Sequence, residues 1–185
     1  MTIIDIRYET IKAASYFMSK EVTRYDLNGV HVVSDGNALH IQATDGHRLV
    51  KITKRYEEPL PKVNMILSRW TISMITKLFA RRDVLAFDFD KMKITVDNLE
   101  YPIQEIDGTF PDVNRIIPDY SKQKTATAHI GFNMELMNGF STSLNQFGAS
   151  KAAAKLSFKD EGSPMRLDAS NCEEVYIGLL MPLRI

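Results

Sequence analysis

The chain has 185 residues, of which 44% are hydrophobic, so it can bury a substantial core in one large domain or in one and a half smaller ones. Its 23 lysine and arginine residues balance 23 aspartate and glutamate residues. This zero net charge argues against a uniformly basic nucleic-acid binder, and any contact with DNA must come from a local concentration of positive charge.

Cysteine usage and hydropathy indicate the compartment. The single cysteine, Cys172, cannot form an intrachain disulfide, which favours a reducing environment. The first residues lack the basic segment and apolar run of a signal peptide. No stretch approaches the roughly 20 apolar residues of a membrane-spanning helix. We therefore expect a soluble, cytoplasmic protein.

The first 55 residues predict a strand, a helix and three further strands. Alternating apolar residues predict the first strand over residues 3–7, and helical spacing predicts a helix over residues 9–19. Ser34, Asp35, Gly36 and Asn37 are typical of a hairpin turn between the next two strands. The three later strands are predicted over residues 27–34, 38–43 and 48–53.

The same order of elements recurs twice. In the second copy, Ser68 is a suitable N-cap for a helix that reaches about Phe79. In the third copy, Asn133 takes that place, and Gly148 offers a stop after Phe147. The strands are predicted over residues 63–67, 84–89, 91–96 and 99–106, and over residues 128–132, 155–159, 165–169 and 174–181. A period of about 50 to 60 residues indicates an internal repeat.

The repeats define the domain organisation. Residues 1–118 form a complete domain of two units, 1–55 and 62–118, and residues 128–185 form half a domain. Residues 119–127 between them are polar and without apolar periodicity, as in a linker. Amphipathic helices backed by antiparallel sheets give a layered α+β architecture.

Residues 43–49, with the sequence ATDGHRL, raise the question of catalysis. Thr44, Asp45 and Gly46 suit a tight turn between two strands. Asp45 and His47 could form a catalytic pair with Thr44 as nucleophile, but a turn at Gly46 would separate their side chains. The sequence has no GxSxG, P-loop or zinc-ligand spacing. We therefore expect a protein that is not an enzyme, without metal or cofactor.

Two predicted helices carry positive charges at the spacing of one helical face. Lysines on helices are usually only solvated, but recurrence in two copies of a neutral chain favours a surface that faces DNA. The candidate DNA-facing residues are Lys12, Lys20, Arg24, Arg69, Lys77, Arg81 and Arg82.

Four short strings occur together along the chain. They are LNG at residues 27–29, ATDGHRL at 43–49, FPDVNRIIP at 110–118 and MPLRI at 181–185. With them the chain resembles the bacterial DNA polymerase III β subunit, the sliding clamp of DNA replication, over nearly its whole length. The resemblance implies the DNA clamp fold, with antiparallel sheets outside and helices lining the inner face. It also implies a processivity factor that encircles duplex DNA and touches phosphates without reading bases.

The resemblance further implies a site for partner peptides. In the family, a hydrophobic pocket between the middle domain and the C-terminal strand binds short peptides of polymerases and clamp loaders. Carried over to this sequence, its residues are Leu27, Thr44, Gly46, His47, Arg48, Leu49, Pro111, Arg115, Ile116, Leu179, Met181, Pro182, Leu183, Arg184 and Ile185.

The number of units leads to an expectation about assembly. A family subunit has three domains of two units each and closes a six-domain ring as a dimer, whereas this sequence carries three units. Four copies would supply the units of a full ring, so we expect a homotetramer in which copies of the last unit pair across a twofold axis. The alternative is a non-encircling, clamp-like protein that sequesters clamp-binding peptides as a regulator of replication.

Overall fold

The computed structural model describes residues 3–80, 83–120, 130–149 and 153–183. The helices within these ranges are α1 (Tyr8–Ser15), α2 (Arg69–Leu78) and α3 (Met134–Phe147). The strands are β1 (Ile3–Arg7), β2 (Val30–Ser34), β3 (Ala38–Thr44), β4 (Arg48–Arg55), β5 (Asn64–Leu67), β6 (Val84–Asp88), β7 (Lys93–Val96), β8 (Leu99–Pro102), β9 (Lys155–Ser157), β10 (Met165–Ser170) and β11 (Glu174–Leu180). This order confirms the α+β class and the threefold recurrence of a helix followed by three strands.

Side chains at the helix ends explain where α2 and α3 begin and end. Ser68 accepts a hydrogen bond from the backbone N–H of Thr71, and Asn133 accepts from the N–H groups at the start of α3. Gly148 ends α3 in the left-handed region, with φ of 85°. These three predicted caps are confirmed. In the described ranges, no helix has the length and apolar character needed to cross a membrane.

The strands form two antiparallel sheets. One sheet has the order β1-β6-β7-β8, and the other has the order β5-β2-β3-β4-β11-β10-β9. β1, the first strand of the first unit, pairs with β6 of the second unit. β5, the first strand of the second unit, pairs with β2 of the first unit. Because β4 pairs with β11, the larger sheet also joins the first unit to the third.

Helix α1 lies between the other two helices. It packs against both α2 and α3, and Ile11, Ala13 and Ala14 on it have no exposed surface. Ser143 of α3 donates to the carbonyl oxygen of Ala13 at 2.9 Å and accepts from the hydroxyl of Tyr176 at 3.0 Å. Burial raises the pKa of Tyr176 well above its ordinary value, so this hydroxyl stays protonated. The third unit is thereby held on the first.

The segment after α1 differs from its prediction. The sequence predicts a helix to residue 19, but α1 ends at Ser15. The backbone continues in a tighter turn, in which the N–H of Phe17 donates to the carbonyl oxygen of Ala14. Val22–Leu27 then forms two short 3-10 turns separated by a kink at Arg24, where a strand was expected to begin at residue 27. Phe17 is still fully buried. The apolar period therefore continues beyond the α-helical backbone, and the expected single face through Lys12, Lys20 and Arg24 is wrong.

The third unit differs in its leading strand, predicted over residues 128–132. Residues 128 and 129 lie outside the described ranges, and Gly131 forms only an isolated bridge with Leu183. Of the predicted linker, residues 119 and 120 are described; the hydroxyl of Tyr120 donates to the carbonyl of Pro164 at 2.9 Å. The division into one domain and a half stays a prediction.

Candidate functional site

A tight turn between β3 and β4 carries the centre of the predicted site. Oδ1 of Asp45 accepts hydrogen bonds from the backbone N–H groups of His47 and Arg48, both at 3.0 Å. Oγ1 of Thr44 accepts from the N–H of Gly46 at 3.1 Å and donates to the carbonyl of Arg48 at 2.8 Å. Gly46 has φ of 89°, a conformation that favours glycine. The geometry of the turn therefore explains why Thr44, Asp45 and Gly46 occupy these positions.

The Asp45 carboxylate holds this turn and does not orient the His47 ring. Its second oxygen, Oδ2, accepts from Nε of Arg48 at 2.8 Å. Among the contacts of the described residues, none joins this carboxylate to the ring of His47, which is exposed. A catalytic pair needs the base and its orienting group in direct hydrogen-bond contact. Asp45 and His47 therefore do not form the pair that the sequence left open.

Arg48 reaches from the turn into the helices. Its Nη2 donates to the carbonyl oxygen of Tyr16 at 3.0 Å and its Nη1 to that of Leu136 at 3.3 Å. The guanidinium also lies 5.0 Å from the ring centre of Phe17. Only 16% of this side chain is exposed. Arg48 therefore connects the turn to the end of α1 and to the first turn of α3.

Beside the turn, a cleft of about 200 Å³ opens where the first and third units meet the end of the second. Its floor is formed by Leu27, Leu49 and Leu179, which are buried together with three further apolar residues. Leu49 of β4 lies directly opposite Leu179 of β11. At the rim, Ile116 and Met181 are 46% and 43% exposed. The full lining is Arg24, Leu27, Thr44, Gly46, His47, Arg48, Leu49, Pro111, Ile116, Leu179 and Met181.

Ten of the fifteen residues predicted to bind partner peptides line this cleft. Three described residues of the predicted set do not line it: Arg115, Pro182 and Leu183. Arg115 extends into solvent with 87% of its side chain exposed and pairs with Asp112 at 3.1 Å. Arg184 and Ile185 lie outside the described residues. Peptide binding by this set stays a prediction.

Arg24, predicted to face DNA, lines the cleft. It lies at a kink between two short 3-10 turns, with φ of −115° and ψ of 60°, and its Nε is 3.7 Å from a carboxylate oxygen of Glu21. It does not continue a helical face with Lys12, because α1 has already ended at Ser15. The sequence did indicate that the helix stops before Arg24. The helical spacing of apolar residues ends at Met18, and the β-branched residues Val22 and Thr23, which disfavour a helix, follow it.

The other candidate DNA-facing residues fall into three groups. Lys12 and Arg69 make local contacts: the ammonium of Lys12 is 5.4 Å from the ring centre of Tyr16, and Arg69 donates to the carbonyl of Ser19. Lys20 and Lys77 are exposed. Arg81 and Arg82 lie outside the described residues. Their role toward DNA stays a prediction.

The histidines of the larger sheet and Asp35 in its β2–β3 turn make structural contacts within the fold. Nε2 of His31 is 2.7 Å from Oδ1 of Asn64, and the His31 ring stacks on Phe110. Burial lowers the pKa of His40, and backbone N–H groups lower the pKa of Asp35 to about 2. In the described part of the chain, no group of three His, Cys, Asp or Glu side chains could hold a metal ion.

Comparisons of the sequence with known proteins point to one family. A family model described as the DNA polymerase III beta subunit, central domain, matches residues 5–112. The beta sliding clamps of Haemophilus influenzae and Vibrio cholerae are 29% and 25% identical to the chain, each over 167 residues. These alignments cover 88% and 89% of the chain and 44% of each relative. The chain thus spans less than half the length of these relatives.

Solved structures show the same fold. The DNA polymerase III subunit beta of Pseudomonas aeruginosa has a TM-score of 0.71 at 18% identity, over 100% of this chain and 67% of that one. The beta subunit from Thermotoga maritima has a TM-score of 0.72 at 16% identity, over 100% of this chain and 66% of that one. These likenesses confirm the predicted clamp fold, with antiparallel sheets outside and helices on the inner face.

Proposed function

This chain belongs to the DNA polymerase III beta subunit family, and from that premise we propose that it is a sliding clamp that recruits partners through the cleft beside the β3–β4 turn. The occupant of the cleft is a short linear peptide of a DNA polymerase or a clamp loader. The protein acts on duplex DNA in the cytoplasm, and its contribution is attachment rather than catalysis.

The apolar floor of the cleft carries this proposal. Leu27, Leu49 and Leu179 line a depression that is open to solvent, and Met181 at its rim has a side chain that adapts to different shapes. The volume of about 200 Å³ lies below that of most small-molecule pockets, which measure about 300–1,000 Å³. A cleft of this size accommodates a few apolar side chains of an extended peptide.

Charge on the cleft wall favours acidic peptides. Arg24 and His47 stand beside the apolar floor, and the Arg24 side chain is 56% exposed. A carboxylate next to the apolar anchors would pair with the Arg24 guanidinium in competition with Glu21, which improves specificity and the rate of association.

Peptide binding can be tested by fluorescence anisotropy. The probe is a fluorescein-labelled hexapeptide in which an acidic residue precedes two adjacent leucines, and the control peptide carries two alanines instead. We expect saturable binding of the leucine peptide and a loss of at least tenfold in affinity for the control. Equal affinity of both peptides, or binding of neither, would contradict the proposed role of the cleft.

For the DNA, we propose a closed homotetrameric ring. Four copies of the three units supply the twelve units that surround the duplex, with Lys12, Lys20, Arg69 and Lys77, and also Arg81 and Arg82, near the phosphates. Such contacts are independent of sequence and weaken with salt, so the ring slides and its closure retains the DNA. Retention on a nicked circular plasmid, lost after linearisation, is the expected result at physiological salt.

One edge of β8, which no strand within the described ranges covers, favours a second candidate function. The N–H of Ile103 donates to the carbonyl of Met92 on the β7 side at 2.8 Å, so the backbone groups of Glu100 and Pro102 point to the opposite edge. Proline has no N–H to donate, and a charged side chain opposes strand addition. This edge suits an open assembly that sequesters clamp-binding peptides and regulates replication without encircling DNA. Equal retention on circular and linear plasmids would favour this candidate over the ring.

A further inference from the structure

The first two units complete each other by exchanging strands. β1, the leading strand of the first unit, pairs with β6 of the second unit along its whole length. β5, the leading strand of the second unit, pairs in return with β2 of the first. α1 and α2 pack beside each other in the same two units. The leading strand of each unit therefore forms the edge strand beside the three strands of the other unit.

The third unit repeats the second in its hydrogen bonds. The N–H of Ile106 donates to the carbonyl of Ile66, two residues before the cap of α2, at 2.8 Å. The N–H of Leu183 donates to the carbonyl of Gly131, two residues before the cap of α3, also at 2.8 Å. Residues 130–132 therefore take the place of β5. Their other edge is the one that β5 uses to pair with β2.

The third unit has no sister unit in the described residues. Only residues 121–129 separate it from the described part of the second unit, too few for a helix and three strands. β9 is the last strand of the larger sheet within the described ranges. No described strand stands beside β9 in the position that β1 takes beside β6.

Leu156 of β9 marks the uncovered side of the sheet. It lies opposite Leu167 of β10, so both side chains point to the same face. Leu167 is 3% exposed, whereas Leu156 is 45% exposed. On β6 of the second unit, Leu85 and Phe87 have no exposed surface. The inner face is thus covered in the second unit and open in the third.

Helix α3 shows the same difference from α2. Counted from the caps, Leu136 and Met137 of α3 correspond to Thr71 and Ile72 of α2. Thr71 and Ile72 are 0% and 2% exposed. Leu136 and Met137 are only partly buried, although they are as large or larger. One side of α3 therefore lacks the helix that covers α2.

We propose that this face, made of the β9 edge, residues 130–132 and the open side of α3, docks the same face of a second copy across a twofold axis. Residues 130–132 of each copy lie along β9 of the other, as β1 lies along β6, and the two α3 helices pack as α1 and α2 do. The larger sheet of each copy is thereby continued by one strand from the other.

Size and charge agree with this occupant. A stable interface of standard size buries about 800 Å² per partner, and the proposed contact draws on one helix face and two strand edges of each copy. α3 carries one charged side chain, Glu135, so two copies meet with little repulsion. The inference names the contact on which the proposed ring rests, but it does not depend on peptide binding.

Sedimentation velocity of the full chain at tens of micromolar tests the contact. We expect an assembly of two or four copies for the unmodified protein and loss of this contact for Leu156→Asp. The matched control is Val175→Asp, because Val175 is 51% exposed and lies on the opposite face of the same sheet from the buried Tyr176. A monomeric unmodified protein would overturn the proposal, and so would a Leu156→Asp variant that assembles normally.

A second variant guards against simple misfolding. Met134 is 71% exposed and corresponds to Arg69 of α2, which bonds to the carbonyl of Ser19 in its sister unit. Met134→Glu places an acid in the first turn of a helix, where the dipole favours it, so the fold should be kept. We expect self-association to weaken at least tenfold; unchanged association would contradict the proposal. Retained binding of the labelled leucine peptide by these variants separates a failure of this contact from a failure of the cleft.

Discussion

The guanidinium of Arg48 lies against Gly139 of α3, where a Cβ atom would overlap Nη1. The same guanidinium donates to backbone carbonyls at the end of α1 and in the first turn of α3. Its Nε is bound to Asp45 in the turn beside the cleft. The glycine therefore makes room for a connection between the cleft and the helices. We therefore expect a substitution at Gly139 of α3 to displace Arg48 beside the cleft.

We expect Gly139→Ala to destabilise the protein by about 1–3 kcal/mol through overpacking, although alanine is normally the better helix former. Arg48 cannot swing aside without losing hydrogen bonds from its three nitrogen atoms. Urea unfolding measures the difference. Asn138→Ala, exposed on the same helix, is the control and should be neutral or slightly stabilising. A more stable Gly139→Ala variant would show that Arg48 is not held in place.

In the cleft, we expect Met181→Ala to weaken binding of the labelled leucine peptide by about five- to thirtyfold, the equivalent of about 1–2 kcal/mol of lost apolar contact. Since 43% of Met181 is exposed, the stability of the fold should change little. Val175→Ala is the matched control outside the cleft. An unchanged anisotropy titration for Met181→Ala would exclude this side chain from the peptide contact.

A buried ion pair ties the first unit to the third. Glu174 is 4% exposed and accepts from Arg7 and from Oγ1 of Thr10, the latter at 2.7 Å. We expect Arg7→Met to cost about 3 kcal/mol in urea unfolding, because it leaves a buried carboxylate without its cation. Lys54→Met breaks the more exposed pair with Glu173 and should cost about 0–1 kcal/mol. Equal losses in the two variants would contradict a special role for the buried pair.

The turn at Asp35 should make stability depend on acid pH. Oδ1 of Asp35 accepts from the N–H groups of Asn37 and Ala38, which lower the pKa of its carboxyl from 3.8 to about 2. Because the folded pKa lies below the unfolded one, the stabilisation is present above pH ~4 and is lost as the pH falls to about 2. Asp35→Asn keeps the acceptor oxygen without titrating, so its urea midpoint should fall less over this range. Parallel curves for both proteins would refute the assignment.

Charge reversal on α2 tests the proposed approach to DNA. Lys77 is exposed in the last turn of α2, and we expect Lys77→Glu to weaken binding to a labelled duplex equally for different sequences. If Lys77 contacts a phosphate, the slope of log affinity against log salt should fall by about one. Lys62→Glu, exposed before β5, is the control and should leave the slope unchanged. The same loss in both variants would indicate only a general charge effect.

The prediction of local structure succeeded where neighbouring residues decide the outcome. Ser68, Asn133 and Gly148 bound their helices as expected, because caps are formed by side chains and backbone groups a few positions apart. The same reasoning failed after Ser15, where the apolar spacing continues through Phe17 but the backbone tightens. Arg24 was misplaced for that reason. Ten cleft residues were anticipated from the family resemblance and not from any local pattern.

The sequence by itself determined the repeated order of elements, the turns and helix caps, and the four strings that identify the family. Only the tertiary structure decided that β1 and β5 exchange sheets and that β4 meets β11, which brings Leu49 opposite Leu179. The physical reason is that a strand pairs with whichever edge is open once other elements have packed. Residues distant in the chain carry no local signal of that choice. The uncovered side of β9 and α3 became visible in the same way, as an edge that the described residues leave open.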